Sequence, residues 1–464
     1  VPAQPDRQIK RKEESMTKPD STSGPSARGD GPYEIDRRQF LRNAGIAVGA
    51  AAIPGSLLAS PAVAASAASA GTIKIGYVTP QTGSLAPFGQ ADNFVIETIR
   101  KHVAATGGVR SGGKHYKVQI ITKDSQSTDA TAAQVASDLI LNDGIDLMLV
   151  TSTPDTTNPV ADQCESNGIP CISSVAPWQS WFIGRGGVPG KTQFKWTYHF
   201  FWGLEDLEAV YYDMWSQVAT NKEIAALWPN DSDGNAFSAK ATGFPAFIKG
   251  KHYTYVNPGA YADGTADFSA QISAFKSHKA EILTGVPIPP DFVNFWKQAA
   301  QQGFKPKLVT VAKALLFPSV VYSLGALGQN VGSEYWWGPP FPYKSSLTGQ
   351  SAAQLAAAYT AYANQQWTQP IGFAHAVFEV AFAALAKAKG PTDKTGIIDA
   401  IKTLKLDTIV GPLNWTKGPV PNVAKTPLVG GQWRKTKKYP YEIVIVANPG
   451  HPNIPRAGRV EALI

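Results

Sequence analysis

From residue 73 onward, short β-type apolar runs alternate with stretches of helical periodicity, and this alternation restricts the chain more than any other feature. The run 73–78 is followed by a helical pattern over 89–104 that ends at Gly107 and Gly108. Runs at 118–122, 146–150 and 170–173 continue the series, with amphipathic stretches at 131–141 and 158–165 between them. Strands separated by helices pair in parallel, because a parallel neighbour can be reached only through a crossover. After an aromatic, Gly-containing segment at 178–202 the rhythm resumes at 223–228, 253–256, 281–286 and 308–311, with helices predicted over 236–249, 267–277 and 291–302. A strand at 335–338, an Ala-rich helix at 371–389 stopped by Gly390 and Pro391, and short β-type runs between 411 and 447 complete the pattern. The expected fold class is therefore α/β, with two Rossmann-like lobes built on parallel sheets.

In open α/β sheets ligands sit beyond the carboxyl ends of the strands, so the residues just after each strand carry the functional information. Here these are Thr79–Gly83, Thr151–Thr157, Ser174–Trp178, Pro229–Asn235 and Pro287–Pro290. They contain hydroxyls, prolines and aromatic residues but no catalytic constellation. There is no Gly-x-Ser-x-Gly elbow, phosphate-binding loop, His-Glu-x-x-His or Cys-x-x-Cys. Gly184–Pro189 begins like a dinucleotide fingerprint, but Pro189 stands at the third glycine, so it reads as a loop. Asp231, Asp233 and Asn235 have the spacing of three calcium-loop ligands, but Ala236 and Thr242 replace the glycine and the bidentate Glu, which makes a turn the better reading. His375 and Glu379 lie one helical turn apart and are read as a structural pair. The net charge of +8 is dispersed, and Lys435, Lys437 and Lys438 read as a solvated loop, so no nucleic-acid surface is expected. No cofactor and no metal are expected.

The first 70 residues differ in kind from the rest. Arg37 and Arg38 precede Phe40 and Leu41, and a weakly apolar, Ala-rich run follows, with small residues at Ala62–Ala64 and Ala68–Ala70. The segment resembles a twin-arginine (Tat) signal, which implies export to a periplasm or an extracellular surface. No Cys lies near the expected cleavage region, so no lipid anchor is expected. The two cysteines, Cys164 and Cys171, flank a Gly168–Pro170 turn; in an exported chain they form either a disulfide or a pair of buried thiols.

The order of strands, with the segments Ile75–Gly83, Phe88–Gly89, Gly107–Val109, Asp124–Ser127, Asn167–Ser173, Thr265–Ser269, Gln298–Gly303 and Gly411–Leu413, resembles the type I periplasmic binding proteins, and among them the leucine/isoleucine/valine-binding group. The resemblance spans nearly all of 71–447. It implies a non-enzymatic, monomeric solute-binding protein that hands a small-molecule ligand to ABC permease subunits. It also implies three lobe crossings, near Trp196, Tyr335 and Gly418. Lobe 1 would comprise 71–196 plus 337–417, lobe 2 would comprise 197–336 plus 418–447, and 448–464 would form a C-terminal tail.

Carried over to this chain, the family's carboxylate-holding turns correspond to Thr153, Asp155 and Thr156, and to Val175, Ala176 and Pro177. Pro177 removes a hydroxyl and an N–H donor from the second turn. Lys313 stands where an acidic partner for a ligand ammonium is usual, and Gly234 or Asn235 where a Tyr is usual. An ammonium beside Lys313 would lack its counter-charge, so an anionic or polar, flat ligand is expected. The expected ligand contacts are Phe88, Thr153, Asp155, Thr156, Val175, Ala176, Trp178, Trp202, Asn235, Pro287, Lys313, Trp337 and Phe373, with Trp181 and Trp336 as further aromatic residues in the same segments. A ligand sensor serving a receptor, or an exported cofactor-dependent enzyme, are the alternatives.

Overall fold

The computed structural model describes residues 69–463; the twin-arginine segment lies outside the described residues. Strands β1 (Thr72–Thr79), β2 (Val109–Ser111), β3 (Lys114–Asp124), β4 (Leu147–Thr151), β5 (Cys171–Ser174) and β6 (Thr197–Phe200) build the first lobe. Strands β7 (Glu223–Leu227), β8 (Thr254–Val256), β9 (Ile282–Gly285), β10 (Leu308–Val311) and β11 (Gly332–Tyr335) build the second. A hairpin of β12 (Lys405–Thr408) and β13 (Gly411–Asn414) follows, then β14 (Val423–Ala424), β15 (Val429–Arg434) and β16 (Glu442–Ala447). The two main sheets run β14-β6-β5-β4-β1-β3-β2 and β16-β15-β11-β10-β9-β7-β8. Their central pairs are parallel, and the antiparallel pairs β2/β3, β11/β15 and β15/β16 lie toward the edges. This is the expected two-lobed α/β architecture, with the central strands β4, β9 and β10 buried throughout and mostly apolar, and β3 and β8 half-exposed toward the edges.

Local chemistry sets the element ends. Thr128 accepts a bond from Thr131 N at the start of the helix Asp129–Leu141, and Gly168, in the left-handed region, ends the helix Pro154–Asn167. Ser351 and Gln354 form a capping box on the helix Ala352–Ala363. The helix predicted over 236–249 is instead two, Ser232–Ser238 and Phe244–Ile248, because Gly243 is extended and Pro245 restarts the chain in a new direction. The helix Pro370–Lys387 is long and apolar enough to cross a membrane, yet 83% of it is buried in the first lobe.

The sheets also move two lobe boundaries. Thr197–Phe200 and Val423–Ala424, expected in lobe 2, hydrogen-bond into the first sheet, β6 against β5 and β14 against β6. Asn422 explains the second: its side chain bonds Phe194 N and O and Thr197 O, stitching the returning chain to β6. The chain thus crosses between lobes after Phe200, after Tyr335 and after Ala424. The expected strand at 335–338 lies earlier, at Gly332–Tyr335, because 336–338 belong to a crossing. The tail packs on the second lobe, with Leu463 N donating to Lys307 O at 2.8 Å and Gln432 Nε2 to Glu461 O at 2.7 Å.

Of the two states left open for the cysteines, the structure contains thiols and not the disulfide. Cys164 and Cys171 are both free and buried, in a small apolar cluster with Val78, Leu139 and Met148. Burial and the neighbouring Cys171 push the Cys164 thiol well above its ordinary range, so it is held protonated and unreactive.

Candidate ligand cleft

The carboxyl ends of the strands of both sheets converge on a cavity between the lobes. Phe88, Thr153, Val175 and Pro177 line it from the first lobe; Asp233, Phe237, Val286, Ala312, Lys313, Leu316 and Glu334 line it from the second; Phe201, Trp202 and Trp336 come from the crossings. The cavity volume is only about 20 Å³, room for about one water molecule. The lobes meet around this space. Among the contacts between the lobes are a hydrogen bond from Tyr322 Oη to Gln366 Oε1 and two further contacts at the cavity's edge. Phe88 meets Phe317 edge to face at 4.9 Å, and Asp155 Oδ1 accepts from Ser232 Oγ at 2.7 Å and Ser232 N at 3.2 Å.

Two lining residues sit in rare backbone conformations at the ends of strands. Val175 has φ +71°, which is costly for a β-branched residue. It is the neighbour of Ala176, whose carbonyl accepts from Nε2 of His199 at 2.8 Å; Ser173 Oγ bonds the other ring nitrogen at 2.9 Å. His199 is stacked on Trp181 and fully buried, and burial lowers its pKa to about 3, so it serves as a neutral strut under this turn. Lys313 has φ +67° and ψ −57°, and Ala314 N donates to Ala312 O at 2.6 Å, a three-residue turn that aims the Lys313 side chain back into the lobe.

That side chain is not an unpaired cation. Lys313 Nζ lies 2.5 Å from Asp231 Oδ2 and 3.1 Å from Asp233 Oδ2, all three groups being nearly fully buried. Burial alone would lower the Lys313 pKa, but the carboxylates outweigh it and hold the ammonium charged. The expectation that an ammonium here would lack a counter-charge is thereby corrected: Asp231 and Asp233 supply one, from the turn after β7. Glu334 lies against the same Lys. Its Oε1 accepts from Lys313 N at 2.8 Å and its Oε2 from Ser333 Oγ at 2.8 Å and Tyr211 Oη at 3.2 Å, while burial pushes its carboxyl up to about 7.

Among the expected contacts, Phe88, Thr153, Val175, Trp202 and Lys313 line the cavity. The other eight do not. Asp155 bridges to Ser232, Thr156 is buried in its helix, and Ala176 turns its carbonyl to His199. Trp178 is half-buried with Nε1 donating to Glu205 at 3.1 Å, Asn235 is exposed beside a separate groove, and Pro287 is buried next to the lining residue Val286. Trp337 packs on Gly372 and Trp367, and Phe373 forms a second layer behind Phe201 and Trp336. Sequence reasoning missed Phe201, Asp233, Phe237, Val286, Ala312, Leu316 and Glu334 as lining residues. Ala312 follows β10 directly and could have been found by the rule used for the other turns.

Several polar atoms of lining residues have no partner within the protein: Thr153 Oγ1, Trp202 Nε1, Trp336 Nε1 and Asp233 Oδ1. Buried polar atoms are normally bonded, and other unpartnered ones lie elsewhere in the described residues, but these four belong to residues that line one cavity. No cluster of His, Cys, Asp and Glu among the described residues has the arrangement of a metal site.

The chain belongs to the periplasmic binding protein family, whose model matches residues 72–438. Its fold is that of the type I members, the leucine/isoleucine/valine-binding group that the sequence motifs resemble. Solved structures of similar fold include a leucine-binding protein from Thermotoga maritima, 16% identical over 81% of this chain and 99% of that one, with TM-score 0.66. A solute-binding protein of an ABC transporter from Rhodopseudomonas palustris, in complex with 3,4-dihydroxybenzoic acid, is 19% identical over 82% and 99%, with TM-score 0.64. A second one from R. palustris, in complex with 4-hydroxybenzoate, is 16% identical over 81% and 96%, with TM-score 0.65.

Proposed function

We propose that this chain is the exported ligand-capturing component of an ABC importer, carried out of the cytoplasm by the twin-arginine segment in residues 1–70. It acts as a monomer, closes on one small polar solute without chemical turnover, and presents the closed form to permease subunits. The observation that carries this reading is the cavity walled by both lobes, where Thr153, Trp202, Trp336 and Asp233 each hold a polar atom unpaired within the protein. A solute that bonds these atoms from both sides favours closure by its differential affinity for the closed form.

The walls suit a flat, amino-acid-like or aromatic body with an acceptor end such as a carboxylate. Phe88, Phe201, Trp202, Phe237 and Trp336 offer ring faces and edges, and Thr153 Oγ1 with the two indole N–H groups offers donors. The R. palustris proteins with bound hydroxybenzoic acids and the leucine-binding protein support both kinds of body. A thermal-shift series against amino acids, aromatic carboxylates, dicarboxylates, amides and nucleotide cofactors tests the reading. A solute near 100 times its dissociation constant should add about 2.7 kcal/mol of stability with no turnover. Stabilisation by a cofactor alone would replace it with the exported-enzyme alternative.

A further inference from the structure

Three carboxylates surround Lys313, and they differ in what remains free on them. Asp231 uses both oxygens, Oδ1 on Gly234 N at 2.6 Å and Oδ2 on Lys313 Nζ. Glu334 likewise uses both, on Lys313 N and on Ser333 and Tyr211. Asp233 gives Oδ2 to Lys313 Nζ at 3.1 Å, while Oδ1 has no partner in the protein. Its side chain is 5% exposed and lines the cavity.

An ionised carboxylate oxygen accepts hydrogen bonds and donates none, so a group placed against it must carry an N–H or O–H. The local charge acts in the same direction. One ammonium faces two carboxylates at close range, and the excess is negative. A second anion pressed into this end of the cavity would be repelled and left without a donor.

We propose that Asp233, held in place by Lys313, is the specificity-determining acceptor of the cleft, and that the solute carries an N–H or O–H donor at its second-lobe end. This rests on the solute-binding reading and narrows it: acids whose other end is bare hydrocarbon, and dicarboxylates, are excluded. The acid stands in the turn after β7, whereas the turn after β10, where the resemblance leads one to expect it, holds the Lys. The site therefore reads the donor from a different wall of the second lobe.

The test uses matched probes on the full chain at pH 7.5: leucine with isocaproate, 4-hydroxybenzoate with benzoate, and propionamide with propionate. In every pair that stabilises the protein, the donor-bearing member should bind about 10- to 100-fold more tightly by calorimetry than its partner, the range for a hydrogen bond to a charged group. Asp233→Asn, checked for an unfolding transition of its own, should erase most of that preference. Equal affinity within the pairs, or a preference unchanged in Asp233→Asn, overturns the proposal and leaves the solute-binding reading standing. If Asp233→Asn does not fold, the comparison within pairs on the native chain decides alone. Absence of any shift with all six probes and with the wider solute series above removes the small-solute reading and this inference together.

Discussion

Lys313 couples the backbone to the charge balance of the cleft. Its positive φ is tolerated because the turn delivers an ammonium to Asp231 and Asp233, which would otherwise be two buried like charges side by side. Lys313→Met keeps the length of the side chain but removes the charge. Stability should fall by about 3–5 kcal/mol, the range for breaking a buried ion pair, measured by urea unfolding at neutral pH. A loss below 1 kcal/mol would mean that the carboxylates are solvated in solution and that the pairing is not structural. Asp233 itself was legible in the sequence as a member of the segment after β7 and of an incomplete calcium loop, but not as a contact, since spacing shows that carboxylates are near one another but not which oxygen is left over. Glu334 gave no signal, because it sits inside a strand and its partner is the backbone N–H of a residue 21 positions away.

At the scale of elements, the crossing at 336–338 is tied to the buried helix Pro370–Lys387 by close packing of Trp337 on Gly372. Trp337 lies flat against Gly372, where an added Cβ would collide with the indole ring, and Trp336 is thereby turned toward the cavity. Gly372→Ala should cost about 1–3 kcal/mol by overpacking, although alanine is the better helix former; a lowered Tm checks this, and an unchanged or raised Tm would show that the indole can move aside. The same crossing shows where sequence reading stops. Strands, helices and the turns after the strands were legible from periodicity, and Phe88, Thr153, Val175, Trp202 and Lys313 were found from the turns, crossings and motifs these define. Trp337 was chosen where Trp336 lines the site, a shift of one residue that reverses the side of an extended chain. Likewise β14 is only two residues long, too short to carry a pattern, so its return to the first sheet was invisible without Asn422's contacts.

For the whole molecule, buried titratable groups set how the stability of the fold depends on pH. Burial raises Asp92, Glu334 and Glu379 to about 7 and Asp233 to about 6. The folded chain therefore binds more protons than the unfolded one between the ordinary carboxylate range and neutrality. Their contribution is fully present at low pH and lost as pH rises through about 6 to 7. His199 and His375, depressed to about 3 and about 4, act oppositely, losing their contribution as pH falls below about 6.5. The carboxylates outnumber them, so Tm should fall as pH rises from about 5 to 8, and Glu334→Gln should flatten that slope; a Tm that rises over this interval would contradict the burial of these groups. The central claim, capture of a solute between the lobes, is tested most directly by the ligand-induced Tm shift of the native chain and of Phe88→Ala side by side. The account predicts a shift of a few degrees in the native chain, and a much smaller one in Phe88→Ala at the same solute concentration, each read against that protein's own solute-free Tm. Equal shifts in the two proteins would place the solute outside the cleft and contradict it.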